Sequence, residues 1–332
     1  MPISEKKVLI TGADGFIGSH LAELLVRRGA EVRAMIWYNA FGHAGWLDQT
    51  EPALREKIRI VPGDIRDPDV VSDATAGADI VFHLASLVAI PYSYRSPDSY
   101  VDTNVRGTLN VLQAARRHGV AQVIHTSTSE VYGNAQYVPI DENHPLVGQS
   151  PYAATKIAAD QLAVSFHCSF GLPVTILRPF NTYGPRQSAR AVIPTIIVQL
   201  LAGKRVIKLG NVVPKRDFTY VDDVVEGFLA AAGKDRTVGE VIQLGSETEI
   251  SIGDLAQKIA DLMEVKATIE TDPQRVRPEA GEVQRLLCKR SEAERLLGWA
   301  PTVPLEAGLR RTIRWLADHR DLPGYMADQY VI

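Results

Sequence analysis

The sequence contains a tyrosine and a lysine with a spacing that suits acid–base chemistry, Tyr152 and Lys156 in SPYAATKIAADQL. Residues four apart lie on one face of an α-helix, so the phenol and the ammonium are neighbours. An ammonium lowers the pKa of a nearby phenol, and a phenolate can accept a proton from a substrate hydroxyl. Taken alone, such a pair is more often a solvated helix face. Its meaning therefore depends on the elements that surround it.

A second group of reactive side chains, Thr128, Ser129 and Glu130, follows the apolar run VIHT in HTSTSEVYG. Hydroxyls of this kind can hydrogen-bond a substrate, and a carboxylate can remove or deliver a proton. The order of the two groups along the chain places a Ser/Thr-rich strand end before the tyrosine–lysine helix.

A glycine-rich turn near the start of the chain can bind phosphate. Gly12, Gly15 and Gly18 follow an apolar run and open a helix in VLITGADGFIGSHLAELLVRRG. Gly12 permits a tight turn, Gly15 lets backbone approach a pyrophosphate, and Gly18 lets the helix pack closely on the strand. The first-turn N–H groups, at Phe16 and Ile17, then face the anion. The spacing predicts a dinucleotide site.

An acidic residue at the end of the second strand would bind the ribose of such a dinucleotide, but Ile36 stands there. Arg33 and Asn39 are candidates for this contact, and Arg33 is also explained as a solvated strand residue. No arginine pair is present nearby to attract the extra phosphate of NADP. Asp64 in PGDIRD either accepts a hydrogen bond from adenine or caps a turn. The sequence leaves NAD and NADP open.

Short apolar runs alternate with longer segments of helical period, which is typical of a doubly wound parallel sheet with helices on both faces. We expect a Rossmann-type α/β fold with ligands at the carboxyl ends of the strands. The runs are 8–11, 32–36, 58–61, 80–83, 123–126 and 174–177.

The pattern changes after Arg178, where helices are predicted near 190–202, 222–232, 252–263 and 305–317 with short strands between them. The sequence therefore predicts a dinucleotide-binding Rossmann domain over 1–180 and a smaller, mainly substrate-binding lobe over 181–332. Late strands are free to return to the large sheet.

Composition places the chain among ordinary globular proteins and argues against several partners. The 332 residues are 45% hydrophobic, and 36 basic against 39 acidic residues give a net charge of −3. Without a basic run, neither nucleic acid nor a membrane surface is an expected partner. Cys168 and Cys288 have no metal-ligand spacing, so we expect no metal. With no signal-peptide core and no run of roughly 18 apolar residues, we expect a cytoplasmic protein.

The order of the motifs carries more information than any one of them. In this order the sequence resembles the extended short-chain dehydrogenase/reductase family, in its nucleotide-sugar epimerase and dehydratase branch. The matching segments are TGADGFIG, GDIRD, HLAS, NVRGTLNV, TSTSEVYG, YAATK, RPFNTYGP, RDFTYVDD and RPEAGE.

The resemblance implies a bound NAD, with NADP as the alternative, and Tyr152 and Lys156 as the catalytic pair. It implies that Thr128 hydrogen-bonds the sugar hydroxyl and that Asn104 supports this network. Helices 98–118 and 152–170 match the family's dimer surface and predict a homodimer, although core burial explains their amphipathic pattern equally well. The predicted cofactor contacts are Gly12, Gly15, Phe16, Ile17, Gly18, Asp64, Ile65, Leu84, Ala85, Ser86, Asn104, Tyr152 and Lys156.

Glu130 distinguishes reactions within this family. The 4-epimerases that the sequence resembles carry a small or neutral residue there, whereas dehydratases and UDP-glucuronate decarboxylases carry glutamate. Once C4 of a sugar is oxidised to a ketone, a carboxylate can remove the acidified C5 hydrogen and the C6 hydroxyl leaves as water. Ser129 stands where glucose-nucleotide dehydratases have a dedicated aspartic acid, so the resemblance to GDP-mannose dehydratases implies that Glu130 serves as both base and acid.

The second lobe supplies the predicted substrate site. The family resemblance places Asn181, Arg216 and Arg277 on the diphosphate or ribose, and arginine suits such anions through paired donors. Packing explains Tyr92 as well as sugar contact does. The predicted substrate contacts are Ser86, Tyr92, Thr128, Asn181, Arg190, Val192, Arg216, Arg277 and Glu279.

The sequence is most similar to legionaminic-acid-type dehydratases, which implies a 4,6-dehydratase acting on a UDP- or GDP-linked hexosamine, N-acetylglucosamine above all. A UDP-glucuronate decarboxylase is the nearest alternative, with Arg186 or Arg190 as the cation for the C6 carboxylate. A sugar 4-epimerase and a redox-sensing dinucleotide-binding regulator are further alternatives. An intact set of Thr128, Glu130, Tyr152 and Lys156 counts against the regulator.

Overall fold

The strands of the protein follow the apolar runs of the sequence. A computed structural model describes residues 3–322 and 324–327. The strands are β1 Lys7–Thr11, β2 Glu31–Trp37, β3 Ile58–Gly63, β4 Ile80–His83, β5 Gln122–Thr126, β6 Val174–Pro179, β7 Asn181–Tyr183, β8 Val206–Leu209, β9 Lys215–Tyr220, β10 Val241–Leu244, β11 Glu249–Ser251, β12 Thr268–Thr271 and β13 Arg285–Leu286.

The α-helices lie between and after these strands. They are α1 Phe16–Arg27, α2 Pro52–Arg55, α3 Pro68–Thr75, α4 Ile90–Ser93, α5 Pro97–Tyr100, α6 Gly107–Arg117, α7 Pro151–Phe170, α8 Val192–Leu201, α9 Val221–Ala231, α10 Ile252–Leu262 and α11 Leu305–Asp318. A π-helical segment, Val101–Arg106, joins α5 to α6, so the chain is helical from 97 to 117.

A parallel sheet organises the described residues, with strand order β10–β6–β5–β4–β1–β2–β3. The order reverses between β1 and β4, and at such a switch point the strand ends leave a crevice for ligands. Thr11 at the end of β1 stands opposite His83 at the end of β4, and His83 stands opposite His125 in β5. The predicted Rossmann-type sheet and its six strands are confirmed.

Alternate residues of the central strands supply two cores, one on each face of the sheet. Val8, Ile10 and Phe82 pack in one cluster with side chains of α1 and α9. Leu9 and Val81 pack in the other with side chains of α3, α6 and α7. Burial on both faces explains why these strands are continuous apolar runs in the sequence.

The second half of the chain forms small sheets and returns once to the large one. β9 pairs with β7, β11 and β13, while β8 pairs with β12. β10 joins the edge of the large sheet beside β6, so residues after 180 contribute to both parts. The four helices predicted for this half are present as α8, α9, α10 and α11. The division of function at residue 180 stays a prediction.

Candidate active site

A continuous cleft of about 1090 Å³ opens at the carboxyl ends of β1, β4 and β5. Most small-ligand pockets measure about 300–1,000 Å³, so this one has room for a large ligand or two. The predicted site residues that line it are Gly12, Gly15, Phe16, Ile17, Gly18, Ile65, Leu84, Ala85, Ser86, Tyr92, Thr128, Ser129, Glu130, Tyr152, Lys156, Asn181, Arg190, Val192, Arg216 and Arg277. Asp64, Asn104 and Glu279 are predicted site residues that do not line it.

The three glycines of the loop after β1 serve different needs. Gly12 has a φ of 69°, which glycine adopts without strain, and a Cβ there would lie 2.7 Å from the backbone of Ala85. A Cβ on Gly18 would collide with the carbonyl oxygen of Gly12. Gly15 has an ordinary φ of −80°, and an added Cβ would meet only that oxygen, at 3.3 Å. Because glycine has no side chain, the space beside Gly15 stays open as part of the cleft.

The N-terminus of α1 gives this end of the cleft its affinity for an anion. The helix begins at Phe16, and within the described part of the chain no side chain caps its first turn. Uncapped N–H groups and the helix dipole favour a negative group in front of them. Phe16 and Ile17 line the cleft, so the loop fits the pyrophosphate of a dinucleotide.

The residues expected to bind the adenosine ribose are engaged elsewhere. Ile36 is 5% exposed and belongs to the core. Arg33 donates to two carbonyl oxygens at the end of α3, at 2.5 and 2.9 Å, and Asn39 bonds within its own loop. Asp64 accepts Arg66 Nη2 at 2.6 Å and Arg66 Nε at 2.9 Å. The Arg66 backbone N–H also donates to Asp64 Oδ1 at 2.9 Å, which is the predicted cap of a turn, and the contact with adenine stays a prediction.

Asn104 holds the loop after β4 against α7, the helix of the tyrosine–lysine pair. Its Oδ1 atom accepts from Ser86 Oγ at 2.9 Å and from the Leu87 N–H at 2.8 Å. Its amide donates to Leu87 O and, at 3.1 Å, to Thr155 Oγ1. Since Thr155 lies in α7 within the tyrosine–lysine pair, Asn104 positions both walls of the cleft rather than lining it.

Both members of the tyrosine–lysine pair are buried at the start of α7. Ser150 caps this helix by accepting a first-turn N–H, which fixes the start of the helix just ahead of Tyr152. Tyr152 is 7% and Lys156 4% exposed, and Lys156 Nζ donates to Thr126 O at 2.6 Å. Burial lowers the pKa of Lys156 to about 8, against the opposing charge of Asp160.

The phenol of Tyr152 is not activated by the protein alone. Burial raises its pKa above the usual value, while the hydrogen bond with Thr128 lowers it and the charge of Glu130 raises it. The sequence spacing predicted that the Lys156 ammonium would lower this pKa. Desolvation of the phenolate is the largest effect on this pKa, and Lys156 is not among the groups that shift it, so the lowering by the Lys156 ammonium stays a prediction.

Glu130 enters the cleft from a 3₁₀ turn, Ser129–Tyr132, directly after β5. The Thr128 hydroxyl accepts the Glu130 N–H at 3.2 Å and so starts this turn. Ser129 is 3% exposed, whereas Glu130 is half-buried and lines the cleft. Within residues 3–322 and 324–327, the Glu130 carboxylate has neither a hydrogen-bond nor an ion-pair partner. It is therefore available to a ligand.

A buried ionic cluster lies against α7, and the sequence did not reveal it. Asp160 Oδ2 accepts from Ser127 Oγ at 2.7 Å and from Arg178 Nη2 at 2.9 Å. Arg178 Nη1 donates to Tyr132 OH at 2.9 Å. His125 Nε2 lies 3.2 Å from Asp160 Oδ1 without the alignment of a hydrogen bond. The cluster ties α7 to the ends of β5 and β6.

Charged and polar groups from separate segments converge at the far end of the cleft. Arg216 and Arg277 lie 3.6 and 3.7 Å from the same Glu282 oxygen. Asn181 Oδ1 and Arg277 Nη1 are buried and have no hydrogen-bond partner in the described part of the chain, which is costly unless a ligand supplies one. Glu282 also lines the cleft, whereas the predicted Glu279 is exposed. In the sequence, the only signal for Glu282 is that it is one of the two glutamates that follow Arg277 in RPEAGE.

The two arginines considered for a sugar carboxylate differ in availability. Arg186 Nη2 pairs with Glu23 Oε1 at 2.6 Å, and Arg186 is 9% exposed. Arg190 bonds only to the neighbouring Ser188 in the described chain and borders the same part of the cleft as Tyr92. Arg190 is thus the cation that a ligand can reach.

Comparison with known proteins identifies the family. The family model for GDP-mannose 4,6 dehydratase matches residues 9–312. The chain belongs to the extended short-chain dehydrogenase/reductase family, in its nucleotide-sugar epimerase and dehydratase branch. The resemblance inferred from the motifs is confirmed.

Members similar to this chain are named for three different reactions. The dTDP-glucose 4,6-dehydratase of Streptomyces antibioticus is 37% identical, covering 94% of this chain and 93% of its own. The UDP-N-acetyl-alpha-D-glucosaminuronate decarboxylase of Bacillus cytotoxicus is 35% identical, covering 95% and 98%. The structure of UDP-glucuronic acid 4-epimerase from Bacillus cereus, in complex with UDP-glucuronic acid and NAD, has a TM-score of 0.85 at 30% identity, covering 94% and 99%. Family membership therefore leaves the reaction to be argued from the site.

The described residues contain neither a metal-binding cluster nor a membrane-spanning helix. In the ranges 3–322 and 324–327, no three His, Cys, Asp or Glu side chains are arranged to hold a metal ion. No helix in the same ranges has the length and apolar character required to span a membrane. Cys168 and Cys288 are free thiols, the first exposed and the second buried.

Proposed function

We propose that the protein is an NAD-containing nucleotide-sugar 4,6-dehydratase. The observation that carries this proposal is the Glu130 carboxylate, which lines the cleft beside Thr128 and has no partner within the described residues. A 4-epimerase needs no base there, because its chemistry moves only the C4 hydrogen. A carboxylate in this place supports removal of the C5 proton.

The phosphate loop and the tyrosine–lysine pair fit NAD, the cofactor bound in the related epimerase structure. When bound, NAD supplies a hydride acceptor for C4 and later a hydride donor for C6. The loop around Gly15 binds the pyrophosphate, and the Lys156 ammonium holds the ribose next to the nicotinamide. The Thr128 hydroxyl orients the C4 hydroxyl towards Tyr152.

Tyr152 and Glu130 divide the proton transfers. Tyr152 accepts the C4 hydroxyl proton as C4 becomes a ketone, which requires that a bound cationic group offset the effect of burial on the phenol. Glu130 then takes the C5 proton, which the ketone has made acidic. The C6 hydroxyl leaves with a proton from Glu130, so one water is lost. When the hydride returns to C6, C5 takes up the proton that Tyr152 accepted from the C4 hydroxyl, after that proton has exchanged with solvent. Ser129 is not an acid, and Glu130 therefore performs both transfers.

The far end of the cleft supports a nucleotide diphosphate as the group that anchors the sugar. Arg216 and Arg277 present paired donors to a diphosphate. The buried Asn181 Oδ1, which has no hydrogen-bond partner within the described residues, is an acceptor for a hydroxyl of the ribose or the sugar. We propose a UDP- or GDP-linked hexosamine as substrate, with N-acetylglucosamine as the sugar.

A decarboxylase is a second candidate because Arg190 is available near Tyr92, in the part of the cleft where we propose that the sugar lies. In that reaction Arg190 would pair with a C6 carboxylate, and Arg186 would remain bound to Glu23. The dehydratase needs no cation there, since its C6 carries a neutral hydroxyl.

Homodimer formation stays a proposal that the surface supports. Val101, Val164 and Phe170 are apolar residues exposed on the helical stretch 97–117 and on α7. A cytoplasmic location stays a prediction from the sequence.

The experiment that tests the function is product analysis with a panel of nucleotide sugars. Purified protein is incubated with UDP-N-acetylglucosamine, GDP-mannose, dTDP-glucose and UDP-glucuronate, and the masses of the products are measured by mass spectrometry. The proposal predicts a product lighter by one water with the first substrate. Loss of carbon dioxide from UDP-glucuronate would establish the decarboxylase, and a mass-neutral inversion at C4 the epimerase.

A further inference from the structure

The cleft contains an acidic group at the end of β2 that comes from another segment of the chain. Asp14 lies in the glycine loop after β1, yet its Oδ2 atom accepts the N–H of Trp37, the last residue of β2, at 3.1 Å. Asp14, Ile36 and Trp37 all line the cleft. The carboxylate that is absent from position 36 is therefore present beside it.

The backbone around Asp14 is held in place on two sides. The carbonyl oxygen of Asp14 accepts the Trp46 N–H at 3.1 Å. A Cβ on Gly45 would lie 2.6 Å from that oxygen, so the 45–46 segment packs directly against the loop. This leaves the carboxylate in one place relative to the strand end.

We propose that Asp14 accepts hydrogen bonds from the hydroxyls of the adenosine ribose and thereby selects NAD over NADP. The inference rests on the proposed function, since it presumes a dinucleotide bound on the loop of Gly12 and Gly15. A carboxylate has about four acceptor positions, so the N–H of Trp37 leaves room for two ribose hydroxyls.

The charges around this corner disfavour a ribose phosphate. Asp14 is half-buried and has no ion-pair partner within residues 3–322 and 324–327. Arg66 reaches the cleft, but both of its donor atoms that face Asp64 are bonded to that carboxylate. Arg33 is bonded to carbonyl oxygens. The phosphate of NADP would meet the Asp14 carboxylate, while Arg66, whose guanidinium lies 5.2 Å from the Trp37 ring, has its charge balanced by Asp64.

Desolvation at Asp14 supports the same conclusion. Burial raises the pKa of the Asp14 carboxyl, and the backbone N–H of Trp37 opposes this effect. A carboxyl group taken from water in this way gains from further donors, which ribose hydroxyls provide. A phosphate provides none when it is fully ionised.

The test measures which nucleotide the protein retains. Purified protein is incubated with equal, excess concentrations of NAD and NADP, free nucleotide is removed by gel filtration, and the nucleotide released by acid is quantified by chromatography. The variants are Asp14→Asn and Asp14→Ser. Asp48→Asn is the matched control, because Asp48 also accepts a backbone N–H, from Ala44 at 2.8 Å, but does not line the cleft.

Wild type and Asp48→Asn are expected to retain NAD over NADP by at least about tenfold. In both Asp14 variants the ratio of retained NAD to retained NADP is expected to fall about 10- to 100-fold. This factor combines the loss of hydrogen bonds from the ribose hydroxyls to a charged acceptor with the loss of the repulsion between Asp14 and the ribose phosphate of NADP. Equal retention of the two nucleotides by wild type would overturn the proposal without any variant. So would an unchanged ratio in an Asp14 variant that melts like wild type. Retention of neither nucleotide by wild type would refute the proposed function instead.

Discussion

Replacing Asp160 with Asn tests the buried ionic cluster that packs against α7. The change keeps the shape of the side chain and removes its charge, leaving Arg178 at 3% exposure with no counter-ion in the cluster. Breaking a buried ion pair in this way costs about 3–5 kcal/mol of unfolding free energy. We expect Asp160→Asn to lose that amount at pH 7.

The same substitution at Asp102 is the matched control. Asp102 pairs with Arg106 at 3.5 Å on the surface, where the side chains are 45% and 67% exposed. Exposed pairs of this kind contribute about 0–1 kcal/mol. Urea unfolding of wild type, Asp160→Asn and Asp102→Asn, each saturated with cofactor, gives the comparison.

The loss of unfolding free energy in Asp160→Asn is also predicted to depend on pH. Although burial acts to raise it, His125, Arg178 and Ser127 hold the pKa of Asp160 below its usual 3.8. A carboxyl with a lowered folded-state pKa stabilises the protein above the unfolded value and loses that contribution as the pH falls below it. The difference between wild type and Asp160→Asn is therefore full at pH 7 and shrinks below about pH 3.8. A loss at pH 7 no larger than that of Asp102→Asn would refute the reasoning.

Three further predictions concern the cofactor and the proton transfers. Tyr152→Phe keeps the ring packing but removes the proton acceptor, so turnover falls by roughly two to four decades with an unchanged melting temperature; near-normal turnover would contradict the role. Gly15→Val fills the cleft space in front of α1 and abolishes nucleotide retention, and wild-type retention would show that the pyrophosphate lies elsewhere. Retention of nucleotide falls as the pH rises through about 8, where Lys156 loses its proton, and a profile that stays flat to pH 9 would exclude an ammonium contact.

Much of the fold follows from local patterns in the sequence. Each central strand is buried on both faces and is therefore a short apolar run, such as Ile80–His83. Gly12 and Gly18 mark the phosphate loop because a Cβ on Gly12 would meet the backbone of Ala85 and a Cβ on Gly18 the carbonyl oxygen of Gly12. Tyr152 and Lys156 are neighbours through helical spacing alone. These features need no knowledge of distant contacts.

Features that depend on the meeting of distant segments were not predictable in this way. The proposed role of Asp14 depends on its contact with Trp37, which lies in the next strand. The end of β2 itself contains Ile36 and no carboxylate. The pairing of Asp160 with Arg178 requires the packing of α7 against β6.

The effect of burial on the pKa of Tyr152 was not predictable for a related reason. Helical spacing gives the proximity of the two groups but not the extent to which the phenol is removed from water. Glu279 and Glu282 are only three residues apart, and the fold of the connecting turn decides which of them reaches the cleft.

Replacing Glu130 with Gln tests the dehydratase account most directly. The variant keeps the shape of the side chain but cannot take the C5 proton, so C4 oxidation should proceed while water loss stops. In solvent deuterium oxide, wild type should give a dehydrated product labelled at C5 and end each cycle with oxidised cofactor. Glu130→Gln should instead accumulate reduced nicotinamide, visible by absorbance, with no label at C5. Formation of the labelled, dehydrated product by Glu130→Gln at the wild-type rate would contradict the account.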